Sequence, residues 1–176
     1  TIATVNGIGM TFNAYTYCKQ YYADQDNMIV SPQAGDSVFG YGKLFGAGVQ
    51  SGNALKIDAP KCKFGPVTAT PGGSTTAGLT VIALTANATT TTLSDVTIDY
   101  GSYASAFTGI DCSLATYQYV KATIIGNNGV AGQIGIKAGS NNNVMDVILE
   151  PIATGVSYTA GFLNRILING FFNAGQ

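Results

Sequence analysis

Short apolar runs separated by glycine, proline and asparagine recur along the whole chain, and they predict a protein built mainly of β-strands. The most continuous run, Leu79–Leu84, consists of strand-forming residues and predicts a strand buried on both faces. Residues 117–125 alternate between polar and apolar positions. The turn at residues 126–129 then predicts a hairpin, with residues 130–137 as the returning strand.

Two segments leave the choice between helix and strand open. In residues 14–23, Tyr15, Cys18 and Tyr22 would share one face of a helix, yet four tyrosines in this short stretch also suit a strand. Residues 158–172 allow either an apolar helical stripe or an alternating strand.

The length of 176 residues and the lack of a visible boundary predict one domain over residues 1–176. Short strands limited by turns are typical of a sandwich or barrel. The predicted fold is mainly β: an antiparallel β-sandwich, a jelly roll or a barrel, with at most one or two short helices. No repeat of fixed period is visible. Residues 1–13 form a predicted extended N-terminal arm. The apolar residues 158–176 form either the closing element of the core or a segment that bridges to a neighbouring subunit.

The scarcity of charge favours a component of an assembly over a free domain. The chain has 8 Lys+Arg and 9 Asp+Glu among 176 residues, with a net charge of −1, whereas soluble domains are roughly 25% charged. A surface this sparsely charged is predicted to be buried against copies of the chain and other structural proteins, although a monomer coated by threonine and asparagine is the alternative. The residues predicted to form the subunit interface are Tyr15, Tyr21, Tyr22, Phe162, Leu163, Ile166, Leu167, Phe171 and Phe172.

The composition excludes several function classes. Without histidine, a Ser-His or Cys-His nucleophile and a histidine-ligated zinc are impossible. Without a basic excess, direct contact with nucleic acid is disfavoured, and no apolar run is long enough for a membrane-spanning helix. Carboxylates are the acid–base groups that remain, and none lies in a recognisable motif. We therefore expect no catalytic residue, no cofactor and no enzymatic activity.

Three features leave alternatives open. Cys18, Cys62 and Cys112 are either three small buried residues or include a Cys62–Cys112 disulfide. Asp24 and Asp26 resemble part of a calcium loop but lack its glycine and closing glutamate, so a surface turn without metal is predicted. Removal of an initiator methionine and cleavage of a leader both produce a chain that begins with threonine.

Residues 34–40 (AGDSVFG) and 44–49 (LFGAGV) resemble the small β-barrel decoration proteins of tailed-phage heads. In size, in Thr, Gly and Asn usage and in low charge, the whole chain is similar to viral single jelly-roll capsid proteins. The resemblance implies a self-assembling structural subunit of a virion, such as a coat, minor capsid or head-decoration protein. An extracellular or cell-surface filament subunit assembled by β-strand addition and a secreted carbohydrate-binding module are the alternatives.

Overall fold

The computed structural model shows a parallel β-solenoid of two sheets. It describes residues 2–5, 10–23, 28–45, 52–70, 78–127, 129–139, 141–162 and 164–170. Sheet A contains β1 (Ile2–Val5), β3 (Tyr17–Ala23), β5 (Val38–Phe45), β7 (Lys63–Phe64), β8 (Val67–Thr70), β10 (Thr92–Asp99), β12 (Tyr119–Ile125), β14 (Val144–Glu150) and β16 (Arg165–Gly170). Sheet B contains β2 (Met10–Phe12), β4 (Met28–Val30), β6 (Asn53–Ile57), β9 (Leu79–Leu84), β11 (Phe107–Cys112), β13 (Ile134–Ala138) and β15 (Thr154–Tyr158).

The chain alternates between the two sheets, and each circuit through sheet A and then sheet B makes one coil. Neighbouring strands of a sheet therefore come from successive coils, and the strand pairs are parallel. A short 3-10 helix, Pro32–Ala34, lies in one of the turns. The inward side chains of both sheets form one continuous hydrophobic core.

This architecture corrects the predicted fold class. The mainly β content is confirmed, but the antiparallel β-sandwich, jelly roll and barrel are wrong because the sheets are parallel. The predicted hairpin is also wrong: β12 and β13 lie in different sheets, and β12 pairs with β10 and β14 instead. The turn after residue 125 leads from one sheet to the other.

The ambiguous segments are strands. The helix option at residues 14–23 is wrong because residues 17–23 form β3, and the C-terminal helix option is wrong because β15 and β16 occupy that region. The predicted strand Leu79–Leu84 is confirmed as β9. In the predicted N-terminal arm, β1 pairs with β3 and β2 pairs with β4, so both belong to the solenoid. Residues 171–176 lie outside the described part of the chain.

The turn from sheet B to sheet A, which we call the ladder corner, has the same conformation in successive coils. A non-glycine residue with φ between 56° and 62° occupies one position of this turn in five consecutive coils. These residues are Asp36, Lys61, Thr90, Tyr117 and Asn142. Each donates its backbone N–H to a carbonyl oxygen of the next coil, at 2.7–3.1 Å. The left-handed conformation is unfavourable for most side chains, so hydrogen bonding between coils maintains it.

The position after each of these five residues, together with the positions aligned with it in the first and last coils, forms a column of small or neutral polar side chains, which we call the ladder. Its members are Thr16, Ser37, Cys62, Thr91, Gln118, Asn143 and Asn164. Three of the side chains accept a hydrogen bond from the backbone of the preceding coil: Ser37 Oγ, Asn143 Oδ1 and Asn164 Oδ1, each at 2.9 Å. Fully buried alanines lie three positions before four ladder residues, at Ala34, Ala59, Ala88 and Ala115.

The core between the two sheets contains side chains of very different size. Near the N-terminal end, Phe39 and Phe64 stack with ring centroids 4.7 Å apart. In sheet B the inward positions of Gly109 and Gly135 lack side chains, and Ile124 and Leu149 of sheet A fill the space. The glycines therefore permit close packing that any larger residue would obstruct.

Candidate functional site

Four consecutive coils of sheet A share a two-residue break in the alternation of inward and outward positions, which we call the bulge column; their strands stay in register with one another, and the next coil lacks the break. In four consecutive coils, two residues separate a pair of buried inward residues: Lys19–Gln20, Gly40–Tyr41, Gly65–Pro66 and Ser94–Asp95. In β12, a single residue, Lys121, separates the buried Val120 and Ala122. The register of β10 against β12 consequently shifts by one position between Leu93 and Val96.

A groove of about 210 Å³ opens on the outer face of sheet A where the bulge column ends. It is lined by Asp95, Val96, Lys121, Ala122, Thr123, Asp146, Ile148 and Asn169. Asp95 is the second residue of the last bulge and has a φ of 65°. A bulge redirects side chains locally, so the end of the column produces the concavity.

The groove has charges of alternating sign. Lys121 is paired in register with Asp146. On its other side, Lys121 lies opposite the two unpaired residues Ser94 and Asp95, because the register passes from Leu93↔Val120 to Val96↔Ala122. Neighbouring strands lie about 4.8 Å apart, so the three groups follow one another across the sheet. Two carboxylates and one ammonium give the groove a formal charge of −1.

The polar side chains of the groove have no hydrogen-bond or ion-pair partner among the described residues. These side chains are those of Asp95, Lys121, Thr123, Asp146 and Asn169. Tyr119 and Ile148 lie on the same face beside these groups, and their side chains are 44% and 41% exposed. The groove therefore combines free hydrogen-bonding groups with neighbouring apolar surface.

A second surface feature lies along the ladder corner. Exposed aromatic and aliphatic side chains lie on this edge in two groups, separated by the coils of Asp36, Lys61 and Thr90. We call them together the corner strip: Tyr15 and Tyr17 in the first group, and Leu114, Tyr117, Tyr158 and Phe162 in the second. Phe162 is 79% exposed and Leu114 is 65% exposed. The strip extends over six coil spacings, or roughly 30 Å. Groups of exposed apolar side chains are typical of an interaction surface.

The predicted interface residues have different locations. Tyr15, Phe162 and Leu167 are exposed, and Tyr15 and Phe162 belong to the corner strip. Tyr21 is fully buried against the ring of Phe39, with centroids 5.9 Å apart, so its side chain is not available to a partner. Sequence alternation could not show this burial because the bulge in β3 reverses the inward and outward positions.

The other members of the predicted set are half-buried or lie outside the described side chains. The hydroxyl of Tyr22 accepts a hydrogen bond from Gln20 Nε2 at 2.8 Å, and Ile166 packs against the core. Leu163, Phe171 and Phe172 lie outside the described residues, as do Asp24 and Asp26 of the predicted turn.

The three cysteines are buried free thiols, which confirms the prediction of small buried residues and leaves no Cys62–Cys112 disulfide. Burial raises the pKa of the Cys62 thiol to about 11. Burial and the nearby Asp111 raise the pKa of Cys112 to about 12. A nucleophilic cysteine needs a lowered pKa, so neither thiol is activated.

The sequence pattern did not predict the groove or the corner strip as a surface feature. The one available signal was the recurring corner pattern, since it would have placed Tyr15, Tyr117 and Phe162 on one edge. Among the described residues, no group of three or more His, Cys, Asp or Glu side chains is placed to hold a metal ion. The same residues contain no helix long and apolar enough to cross a membrane. Comparison with protein-family models, with curated protein sequences and with solved structures found no match.

Proposed function

We propose that this chain is a structural subunit without catalytic activity that assembles with copies of itself along the ladder corner. The corner strip supports this proposal more than any other observation. Tyrosine, phenylalanine and leucine side chains that are half or more exposed are costly to keep in water, and burying them stabilises association by roughly 25 cal/mol per Å².

The distribution of the strip suits a two-fold contact. Tyr15 and Tyr17 lie near one end of the edge, and Tyr158 and Phe162 lie near the other. Two copies placed side by side in opposite directions would set the tyrosines of each against Tyr158 and Phe162 of its partner. A two-fold interface requires such a self-complementary surface.

The rigid corner supports the same role. Each coil is joined to the next through the ladder and the left-handed column, so side chains on this edge are held at fixed spacing. A repetitive edge needs little ordering on association, which reduces the entropic cost of binding. A subunit of this kind is suited to a virion, and the virion location rests on the sequence resemblance alone.

Sedimentation velocity over a range of protein concentrations tests the proposal. The unmodified chain is expected to sediment as an oligomer, and a Leu114→Glu/Phe162→Glu variant is expected to sediment as a monomer with an unchanged circular dichroism spectrum. Ala104→Glu places the same charge at an exposed position on the opposite corner and serves as the control. An unmodified chain that stays monomeric at all concentrations refutes the proposal.

The filament alternative gives a different result. Strand addition would use the backbone edge of β16, which pairs with β14 on its other side. Changes to the corner strip would then leave the assembly intact, whereas a proline at an outward position of β16 would prevent it.

A further inference from the structure

We propose that the groove at the end of the bulge column binds one ring of a neutral saccharide. This site is separate from the corner strip and does not depend on the proposed assembly.

The groove presents polar groups that have no partner in the part of the chain that the structure describes. Two carboxylates accept hydrogen bonds, the ammonium of Lys121 donates, and the hydroxyl and amide of Thr123 and Asn169 do both. All of them line one groove of about 210 Å³. A sugar ring carries several hydroxyl groups at short intervals, each able to donate and accept, so it can satisfy such a mixed set.

The charges of the groove disfavour binding of small anions and cations. An anion would meet Asp95 and Asp146 on both sides of Lys121. A divalent cation would meet the ammonium between the two carboxylates, and it prefers a larger set of oxygen ligands. A neutral molecule avoids both repulsions, while each hydroxyl still gains hydrogen bonds to a charged group, which are stronger than neutral ones.

Apolar surface lies beside the polar groups of the groove. Ile148 lines the groove, and Tyr119 lies two residues before Lys121 on the same face of β12. A sugar ring has an apolar C–H face as well as its hydroxyls, and exposed aromatic and aliphatic groups can cover that face. The small volume admits one ring, since pockets for larger organic ligands enclose roughly 300–1,000 Å³.

Titration of the ¹⁵N-labelled full chain with neutral sugars tests the proposal. The probes are glucose, galactose, rhamnose and N-acetylglucosamine at millimolar concentrations, followed by an array of neutral and acidic glycans. At least one neutral probe is expected to shift the amide signals of Lys121, Thr123 and Asp146 while the corner-strip signals stay in place.

Two variants keep the shape of the groove and remove its charge. Asp146→Asn is nearly isosteric, and Asp95→Asn retains a residue type that tolerates the left-handed backbone. Each is expected to weaken binding roughly tenfold or more, since a charge-assisted hydrogen bond is lost. Asp99→Asn, an exposed carboxylate of β10 outside the groove, is the control and should bind as the unmodified chain does.

The proposal is overturned if no probe shifts the groove signals, or if binding is the same in both groove variants. It is also overturned if Ca²⁺ or sulfate, rather than a neutral sugar, produces the shifts. A monomeric chain that binds sugar would refute only the assembly proposal, and an oligomer without sugar binding would refute only this one.

Discussion

Replacing Asn143 by alanine should destabilise the solenoid more than most single substitutions. The side chain is fully buried, and its Oδ1 accepts a hydrogen bond from the backbone N–H of Gln118 at 2.9 Å. Its Nδ2 donates to the carbonyl oxygens of Ala115 and Gly139, at 3.2 and 3.0 Å. One residue thus joins two coils and closes its own turn.

The expected loss follows from these three bonds. Each contributes about 1 kcal/mol net, and a buried backbone group left without a partner adds to the cost. The Asn143→Ala chain should therefore lose about 3–5 kcal/mol of unfolding free energy. Asn164→Ala is the comparison: Asn164 is half-buried, and it accepts from the Asn143 N–H at 2.9 Å. Its removal should cost about 1–2 kcal/mol.

Urea unfolding followed by circular dichroism measures both losses. The midpoint should fall much further for Asn143→Ala than for Asn164→Ala, and the slope of free energy against urea should not change. A loss below about 1 kcal/mol for Asn143→Ala, or equal losses for the two variants, would show that the ladder is not a main source of cohesion between coils.

Three further predictions concern the corner, the core and the thiols. Thr90 is exposed and has a φ of 56°. Thr90→Asn should therefore raise the unfolding free energy by about 1 kcal/mol, because asparagine tolerates the left-handed conformation better, whereas Asn142→Gly at the equivalent position should change it little. Equal effects of the two substitutions in thermal melts would show that the left-handed backbone at Thr90 is not strained. A Cβ at Gly135 would lie 2.7 Å from the Gly155 oxygen and 2.8 Å from Leu149 Cδ2. Gly135→Ala should therefore lower the unfolding free energy by about 1–3 kcal/mol. Gly101→Ala is the control in the same melts: no atom lies nearer than 3.5 Å to a Cβ at this position, so the unfolding free energy should hardly change. Because burial raises the pKa of Cys112 to about 12 above the usual value of about 8.5, the unfolded chain releases this proton first. Stability should therefore fall as the pH rises from about 8.5 towards 12, and titration of the melting temperature should show a smaller fall in Cys112→Ala.

Strand content was predictable from sequence, but strand pairing was not. The run Leu79–Leu84 is a strand because its composition favours one in any context. Residues 126–129 favour a hairpin locally, yet β12 pairs with strands a whole coil away in both directions. Such pairing leaves no local signal, and the groove depends on it, since the bulge at Ser94–Asp95 is defined only against β12.

The repeat itself was present in the sequence but unevenly spaced. A six-residue pattern recurs: a small residue, two further residues, a ladder residue, one more residue and an inward apolar residue. It is found in the segments AGDSVF, APKCKF, ATTTTL, ATYQYV, SNNNVM and GFLNRI, which begin at residues 34, 59, 88, 115, 140 and 161. A search for a fixed period fails because the coils differ in length. Residues 34–40, on which the expected likeness to phage decoration proteins is based in part, include one copy of this corner.

The parallel solenoid also explains why the chain has few charged residues. In a parallel solenoid every outward residue has neighbours about 4.8 Å away in the coils above and below, and like charges placed there repel. Among the described residues, no two residues of like charge are paired directly across neighbouring strands. Two pairs of opposite charge do occur, Asp111 with Lys137 and Lys121 with Asp146. Outward rows filled by threonine, as at Thr97 and Thr123, avoid the repulsion without any partner. Low charge is therefore no longer sufficient evidence of burial in an assembly, and the assembly proposal depends on the exposed aromatic groups of the corner strip.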